Sequence, residues 1–279
     1  MEHELRLKKV SFQPNLMNQF QTFSILLLFV SPLAFAIPPF FTEKADAIPN
    51  ICQTCFPQII KWGGKPHCAP AAVSNSLVWL SKNGFPSLHP FQDQDQNIGQ
   101  ARLVELLGEV MGTSETGGTS PIKVLNGLRI YLENKKVKYR RLASTGWRSV
   151  PDFVYVDSSI VNLSWIKEGT FGKNSVWILI GWCKYEPKAD NCDIFDGHWM
   201  TAVGYGKDRS GHLDPSILVL HDSAERAERK NYYARIEVLS HGRIDGSRSA
   251  RDVLTLTGDV VLKPTADRGL IQGAYRLEF

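Results

Sequence analysis

Apolar positions recur every three to four residues through the first half of the chain and every second residue through much of the second half. In HCAPAAVSNSLVWL, Val73, Leu77 and Leu80 share one helical face. Ala69-Pro70-Ala71-Ala72 suits a helix start, where proline loses nothing by lacking an N–H, and Asn83-Gly84 supplies the stop. ARLVELLGEVMG, residues 101–112, puts Leu103, Leu106, Leu107 and Val110 on one core-facing stripe. TSPIKVLNGLRIYLENKK opens on Ser120 as a cap with Pro121 at the first helical position, and turns Ile122, Leu125, Leu128 and Leu132 inward. The Gly- and Thr-rich stretch 112–119 between these helices either borders a substrate cleft or is a plain connector.

VKYRRL, SVWILIGW, HWMTAVGY, SILVLHD and ARIEVLS then carry the aromatic and β-branched residues that strands prefer, and Asp196-Gly197 reads as a turn ahead of HWMTAVGY. Helices first and strands after predict an α+β domain in which an antiparallel sheet packs on the helix carrying Cys68. The charged stretches 225–230 and 245–251 read as solvated loops, and no tandem repeat or low-complexity tract interrupts the pattern.

With 279 residues, 43% of them hydrophobic and 10% aromatic, the chain can bury a full core, and one domain behind a processed leader is the natural division. The net charge of +4 comes from basic residues scattered along the chain, which argues against a nucleic-acid partner. At the N-terminus, Arg6, Lys8 and Lys9 precede the apolar FSILLLFVSPLAFA, which ends in the small-x-small pattern Ala34-Phe35-Ala36. Residues 1–36 are therefore expected to be a signal peptide, 37–50 a short linker and 51–279 the functional domain. The alternative is an uncleaved membrane anchor, because apolar character continues to Phe41, although Pro32, Pro38 and Pro39 interrupt such a helix. A second small-x-small site, Ala45-Asp46-Ala47, leaves the mature start open. The expected location is secreted, periplasmic or otherwise extracellular, or anchored and facing outside, with membrane contact only through the N-terminal segment.

Cysteine usage fits that setting. Of the five cysteines, Cys183 and Cys192 are expected to pair, Cys52 and Cys55 form a second couple or stay reduced, and Cys68 is left over at a helix start. First-turn N–H groups lack intrahelical acceptors and, with the helix dipole, favour a thiolate, so a cysteine there is either a nucleophile or a buried structural residue. A nucleophile needs a base held by a third group. His3 lies in the leader, His89, His212 and His241 lie in loop-like surroundings, and His67 adjoins Cys68 but points away from it. His198 opens an alternating strand, and His221-Asp222 close the next one.

In that order, HCAPAAVSNSLVWL, GHWMTAVGYG and LVLHDSA resemble the motifs C-G-P-A, H-x-x-x-V-x-G-Y and D-P or D-S. These belong to the papain-like cysteine peptidases of the double-glycine leader peptidase group, family 39 and its family-39-like relatives. The likeness spans residues 51–223. It implies a papain-like fold, N-terminal helices on an antiparallel β-sheet, with Cys68 as nucleophile, His198 as base and Asp222 orienting that base. Ala69 replaces the usual glycine and Ala202 the usual valine. Trp62 occupies the place of the oxyanion-stabilising glutamine, which leaves Gln58 and Gln53 as the nearest candidates. Such a protein is an exported thiol hydrolase that cleaves a peptide or amide bond in a peptide or protein substrate and needs no cofactor. Transport-coupled leader removal is unsupported, since no second apolar span and no G-x-x-x-x-G-K-[ST] loop accompany the motifs. Two alternatives stay open: a non-catalytic binding module on the same scaffold, and a structural zinc site built from Cys52, Cys55 and Cys68 with His67 or His198. The pattern leaves the oligomeric state open.

Overall fold

The capping signals place the helices. Ser120 Oγ accepts the Lys123 N–H at the head of a helix over Pro121–Asn134, and Asp95 caps Gln96–Val110 in the same way. In chain order the elements are α1 (Glu43–Ala47), α2 (Cys68–Lys82), α3 (Gln96–Val110), α4 (Pro121–Asn134), β1 (Arg141–Gly146), β2 (Tyr155–Ser158), α5 (Leu163–Thr170), β3 (Ser175–Glu186), β4 (Asn191–Lys207), β5 (Leu213–Asp222), β6 (Tyr232–Val238), β7 (Arg243–Ile244), β8 (Arg248–Ser249), β9 (Leu254–Gly258) and β10 (Arg268–Glu278). This computed structural model describes residues 37–91, 93, 95–224, 230–260 and 262–279. The expected leader, 1–36, and most of the charged loop 225–230 lie outside the described residues.

The expected α+β, papain-like architecture is not what the chain adopts. β3, β4, β5, β6, β9 and β10 pair antiparallel in a closed ring, because β3 bonds to both β4 and β10. The result is a mostly β protein: a closed six-stranded barrel with four further strands and few helices. Local pattern identifies strands, but it carries no signal for closure, which rests on β10 returning to pair with β3 across some 85 to 102 residues of sequence. Both RGLIQGAYRLE (β10) and LTLTG (β9) escape the strand reading of the sequence.

Pairing also moves two boundaries. Asp196 and Gly197 lie inside β4, held opposite Trp182 and Gly181, so the ladder overrides a dipeptide that locally favours a turn. VKYRRL contributes to a strand only from Arg141, where β1 meets Glu278 near the end of its partner β10. Among the helices, Leu125, Leu128 and Leu132 are buried as expected, whereas Ile122 is 42% exposed. At 3.6 residues per turn Ile122 falls about 120° from the middle of the Val124, Leu125, Leu128, Tyr131 and Leu132 stripe.

Two cores result. One lies between α2, α3 and α4 and the sheet, around Val73, Leu77, Leu103, Leu107, Trp177, Trp199 and Tyr275. The other gathers Ile178, Ile180, Trp182, Met200, Leu218, Leu220 and Ile271. Trp177 Nε1 and Thr201 Oγ1 both donate to the Ala72 carbonyl, at 3.2 and 2.8 Å, which pins the first turns of α2 onto β3 and β4. The 37–50 segment, read above as a linker, packs against the sheet: Phe41 bridges to Tyr205, and Ala45 and Ile48 are buried with Val203 and Val219. No helix among the described residues is long and apolar enough to cross a membrane.

Candidate active site

Cys68 is the first residue of α2, half-buried, and carries a free thiol. The Ala71 N–H bonds back to the His67 carbonyl and Pro70 has no N–H, so the N–H groups of Cys68 and Ala69 head the helix without intrahelical acceptors. The other four cysteines form two disulfides, Cys52–Cys55 and Cys183–Cys192. Cys183 and Cys192 tie β3 to β4 directly, so the segment between them is a hairpin rather than a free loop. Disulfides of this kind fit an exported protein.

The structure brings Cys68, His198 and Asp222 together. Met200 of β4 pairs with Asp222 of β5, which makes His198, two residues back, the diagonal neighbour of Asp222 on the same face. His198 Nε2 lies 2.6 Å from Asp222 Oδ1, both side chains are buried, and Cys68 lies close enough to the same imidazole to strengthen its hold on a proton. Burial by itself lowers the affinity of His198 for a proton. The charge and hydrogen bond of Asp222, then the hydrogen bond and charge of Cys68, outweigh it and push the His198 pKa up to about 9. Asp222 Oδ1 also accepts the Ala224 N–H at 2.8 Å, which holds the carboxylate in place. The Trp182 ring stacks on the His198 ring at 6.1 Å between centroids and covers it.

His221 faces away, as strand alternation requires, with its ring nitrogens on the carbonyls of Pro49 and Ala45 and on Asn231 Oδ1. His67 is buried with Nε2 3.6 Å from Glu105 Oε2, turned toward α3. Cys52 and Cys55 are bonded to each other, which takes both thiols out of the zinc set with Cys68. No cluster of three metal-ligating side chains occurs among the described residues.

Neither glutamine candidate supplies an oxyanion donor. Gln58 is exposed and takes no part in the cleft wall. Gln53 lines the cleft, yet its Nε2 donates to the Gly64 and Lys65 carbonyls at 3.0 and 2.9 Å, and both N–H bonds are thereby committed to the loop that leads to Cys68. Trp62 stands at the surface of that loop. The first-turn N–H groups of α2, which lack intrahelical acceptors, remain beside the Cys68 backbone at the head of the helix.

Around this group opens a cleft of about 600 Å³ whose wall includes Cys68, His198, Trp182, Trp199, Gln53 and Gln272. Residues 115–119 of the Gly- and Thr-rich stretch border it: Ser114 and Gly118 exchange backbone bonds at 3.0 Å, and the Thr119 carbonyl accepts Trp199 Nε1.

Sequence reasoning missed the polar group that fixes α2 against the site. Asn75, two turns beyond Cys68, is fully buried. Its Oδ1 accepts from Ile51 N at 3.1 Å and from Gln100 Nε2 at 2.8 Å, and its Nδ2 donates to Ser223 Oγ, next to Asp222, at 3.4 Å. Little in the sequence signals it, since Asn75 lies on the face of α2 opposite Val73, Leu77 and Leu80 and is buried only because α2 is covered on that side as well. Trp182 and Gln272 gave less warning, since nothing local places β3 and β10 beside His198. No protein-family model matches the chain, and a search of curated proteins finds no significant match.

Proposed function

We propose that the protein is an exported thiol hydrolase acting on a peptide or amide bond through Cys68, His198 and Asp222. The observation that carries this reading is the buried 2.6 Å contact between His198 and Asp222, on an imidazole that also reaches the sulfur at the head of α2. The order of the three short motifs adds support, and the two disulfides favour a secreted or periplasmic site of action.

In the reaction, His198 takes the thiol proton of Cys68, and the thiolate attacks the carbonyl carbon. The carbonyl oxygen becomes an oxyanion toward the first-turn N–H groups of α2. His198 then returns the proton to the departing amine as the C–N bond breaks. Water, deprotonated by His198, attacks the thioester, and the acid leaves as the sulfur is released. Asp222 holds the proton on Nε2, so Nδ1 is the nitrogen free to work as base.

A binding module on the same scaffold is favoured by one feature only, the commitment of both Gln53 N–H bonds to the Gly64 and Lys65 carbonyls. Alkylation by iodoacetamide across pH 5 to 9 separates the two. A hydrolase site makes Cys68 alkylate well below the pH at which a free thiol does, and Cys68→Ala removes both this reaction and peptide hydrolysis. Slow, ordinary thiol behaviour from pH 5 upward refutes the hydrolase and leaves the binding module.

A further inference from the structure

Gln272 is a buried amide that the proposed chemistry does not use. It sits where the pairing of β10 with β3 skips a residue: Ile271 opposes Ile180 and Gly273 opposes Leu179, so Gln272 is the extra residue of a β-bulge. Bulges re-aim side chains, and here the side chain lines the cleft shared by Cys68 and His198 while remaining only 3% exposed. Space for it comes from β3. A Cβ on Gly181 would stand 2.3 Å from Gln272 Nε2, so a glycine at that position is a condition for the amide to lie there. Gly181 in turn pairs with Gly197, the residue before His198.

The Oε1 of Gln272 meets no donor among the described residues, and neither does Oε1 of Gln53 in the same cleft. A buried acceptor without a donor is costly, and a site built around one is completed by a ligand that brings an N–H or O–H. The terminal torsion of a glutamine is broad, so the amide turns toward a ligand at little expense. An extended peptide offers a backbone N–H at every residue except proline.

We propose that Gln272 is a specificity-determining residue that accepts a backbone N–H of an extended peptide substrate, with Gln53 offering a second acceptor. Substrates that are N-alkylated, or carry proline, at the matching position are then rejected. This proposal rests on the hydrolase reading.

The test uses an alanine-based tripeptidyl vinyl sulfone, its three singly N-methylated forms and methyl vinyl sulfone, with the rate of Cys68 modification as the readout. For the purified protein, one of the three N-methylations is expected to slow modification by about tenfold. Gln272→Ala and Gln272→Leu should lower the ratio of peptidyl to methyl vinyl sulfone rates by a similar factor and become indifferent to that methylation. Two variants are needed because alanine leaves a hole where leucine fills it. If no methylation matters, if its effect persists undiminished in both variants, or if the peptidyl probe gains nothing over methyl vinyl sulfone, Gln272 does not read the substrate and the hydrolase reading stands. If Cys68 reacts with iodoacetamide no faster than glutathione does, the hydrolase reading falls and takes this proposal with it.

Discussion

His198 Nε2 and Asp222 Oδ1 lie 2.6 Å apart because Met200 and Asp222 face each other across β4 and β5, which sets the imidazole diagonally over the carboxylate. The contact is thus a property of strand register. Asp222→Asn keeps the shape and removes the charge, so the tautomer with a free Nδ1 is no longer enforced. We expect peptide hydrolysis to fall by about a hundredfold or more. The iodoacetamide profile of Cys68 should also move to higher pH. Unchanged kinetics in a folded variant would show that Asp222 has only a structural role.

The same pair makes stability depend on pH. The folded pKa of His198, about 9, lies above its ordinary 6.5, so the folded state binds the proton more tightly than the unfolded chain. Its contribution is fully present below pH 6.5 and is lost as pH rises through about 9. At about 1.4 kcal/mol per pH unit this amounts to a loss on the order of 3 kcal/mol across that window. Urea unfolding at pH 6 and pH 9.5 in a Cys68→Ala background, which leaves His198 and Asp222 as the pair under test, measures it, and adding His198→Gln should flatten the difference. A protein that gains stability across this range contradicts the assignment.

Asn75 joins α2, α3, the Ile51 backbone and Ser223 inside the core. Asn75→Ala strands the Ile51 N–H and the Gln100 amide without their acceptor, and should cost about 2 to 4 kcal/mol by denaturant unfolding. Because the bond to Ser223 lies beside Asp222, Cys68 alkylation should slow in the same variant. A loss of stability with unchanged Cys68 reactivity would separate the network from the site.

The loop ahead of Cys68 makes a sharper demand. Gly64 has φ of +75°, and a Cβ there would come 1.7 Å from the Gln53 carbonyl oxygen. Gly64→Ala must therefore displace either the loop or Gln53, and should destabilise the protein by about 2 kcal/mol or more. It should also break the bonds from Gln53 Nε2 to the Gly64 and Lys65 carbonyls. Thermal unfolding and the Cys68 modification rate report the two effects, and a variant as stable as the parent would show that the loop has another conformation open to it.

What the sequence discloses about this protein follows the range of the interactions involved. α2 and α4 are legible because caps, Pro121 and the spacing of Val73, Leu77, Leu125 and Leu128 are local signals. Cys68 and Asp222 are legible because each stands at an element end, and His198 because it opens an alternating run. The barrel is not, because β3 pairs with β10 through long-range contacts that no window of residues contains. For the same reason Gln272 stays hidden, since the run that carries it is not read as a strand at all, although a glycine inside an apolar run often marks a bulge. Gln53 is legible as a candidate but not in its role, since the carbonyls that take its N–H groups are set by the shape of the 61–65 loop.

The two disulfides should differ in what their loss does. In the loop-closure estimate, closing the short Cys52–Cys55 ring stabilises by about 2 kcal/mol and the Cys183–Cys192 ring by slightly more. Their positions separate the functional consequences. Cys183 and Cys192 sit in a cluster with Ile244, Ala250, Val253 and Leu270, and β3 and β4 stay paired on both sides of them. Cys52 and Cys55 bracket Gln53 and Thr54, which form part of the cleft wall, and the Gln53 backbone N–H bonds to the Ser223 carbonyl at 2.9 Å, one residue from Asp222. Cys52→Ser with Cys55→Ser should therefore lower both the stability and the iodoacetamide reactivity of Cys68, while Cys183→Ser with Cys192→Ser should act chiefly on stability. Unfolding and alkylation measured on both double variants give the comparison. Equal loss of Cys68 reactivity in the two would mean that Gln53 does not convey the state of the Cys52–Cys55 bond to the site.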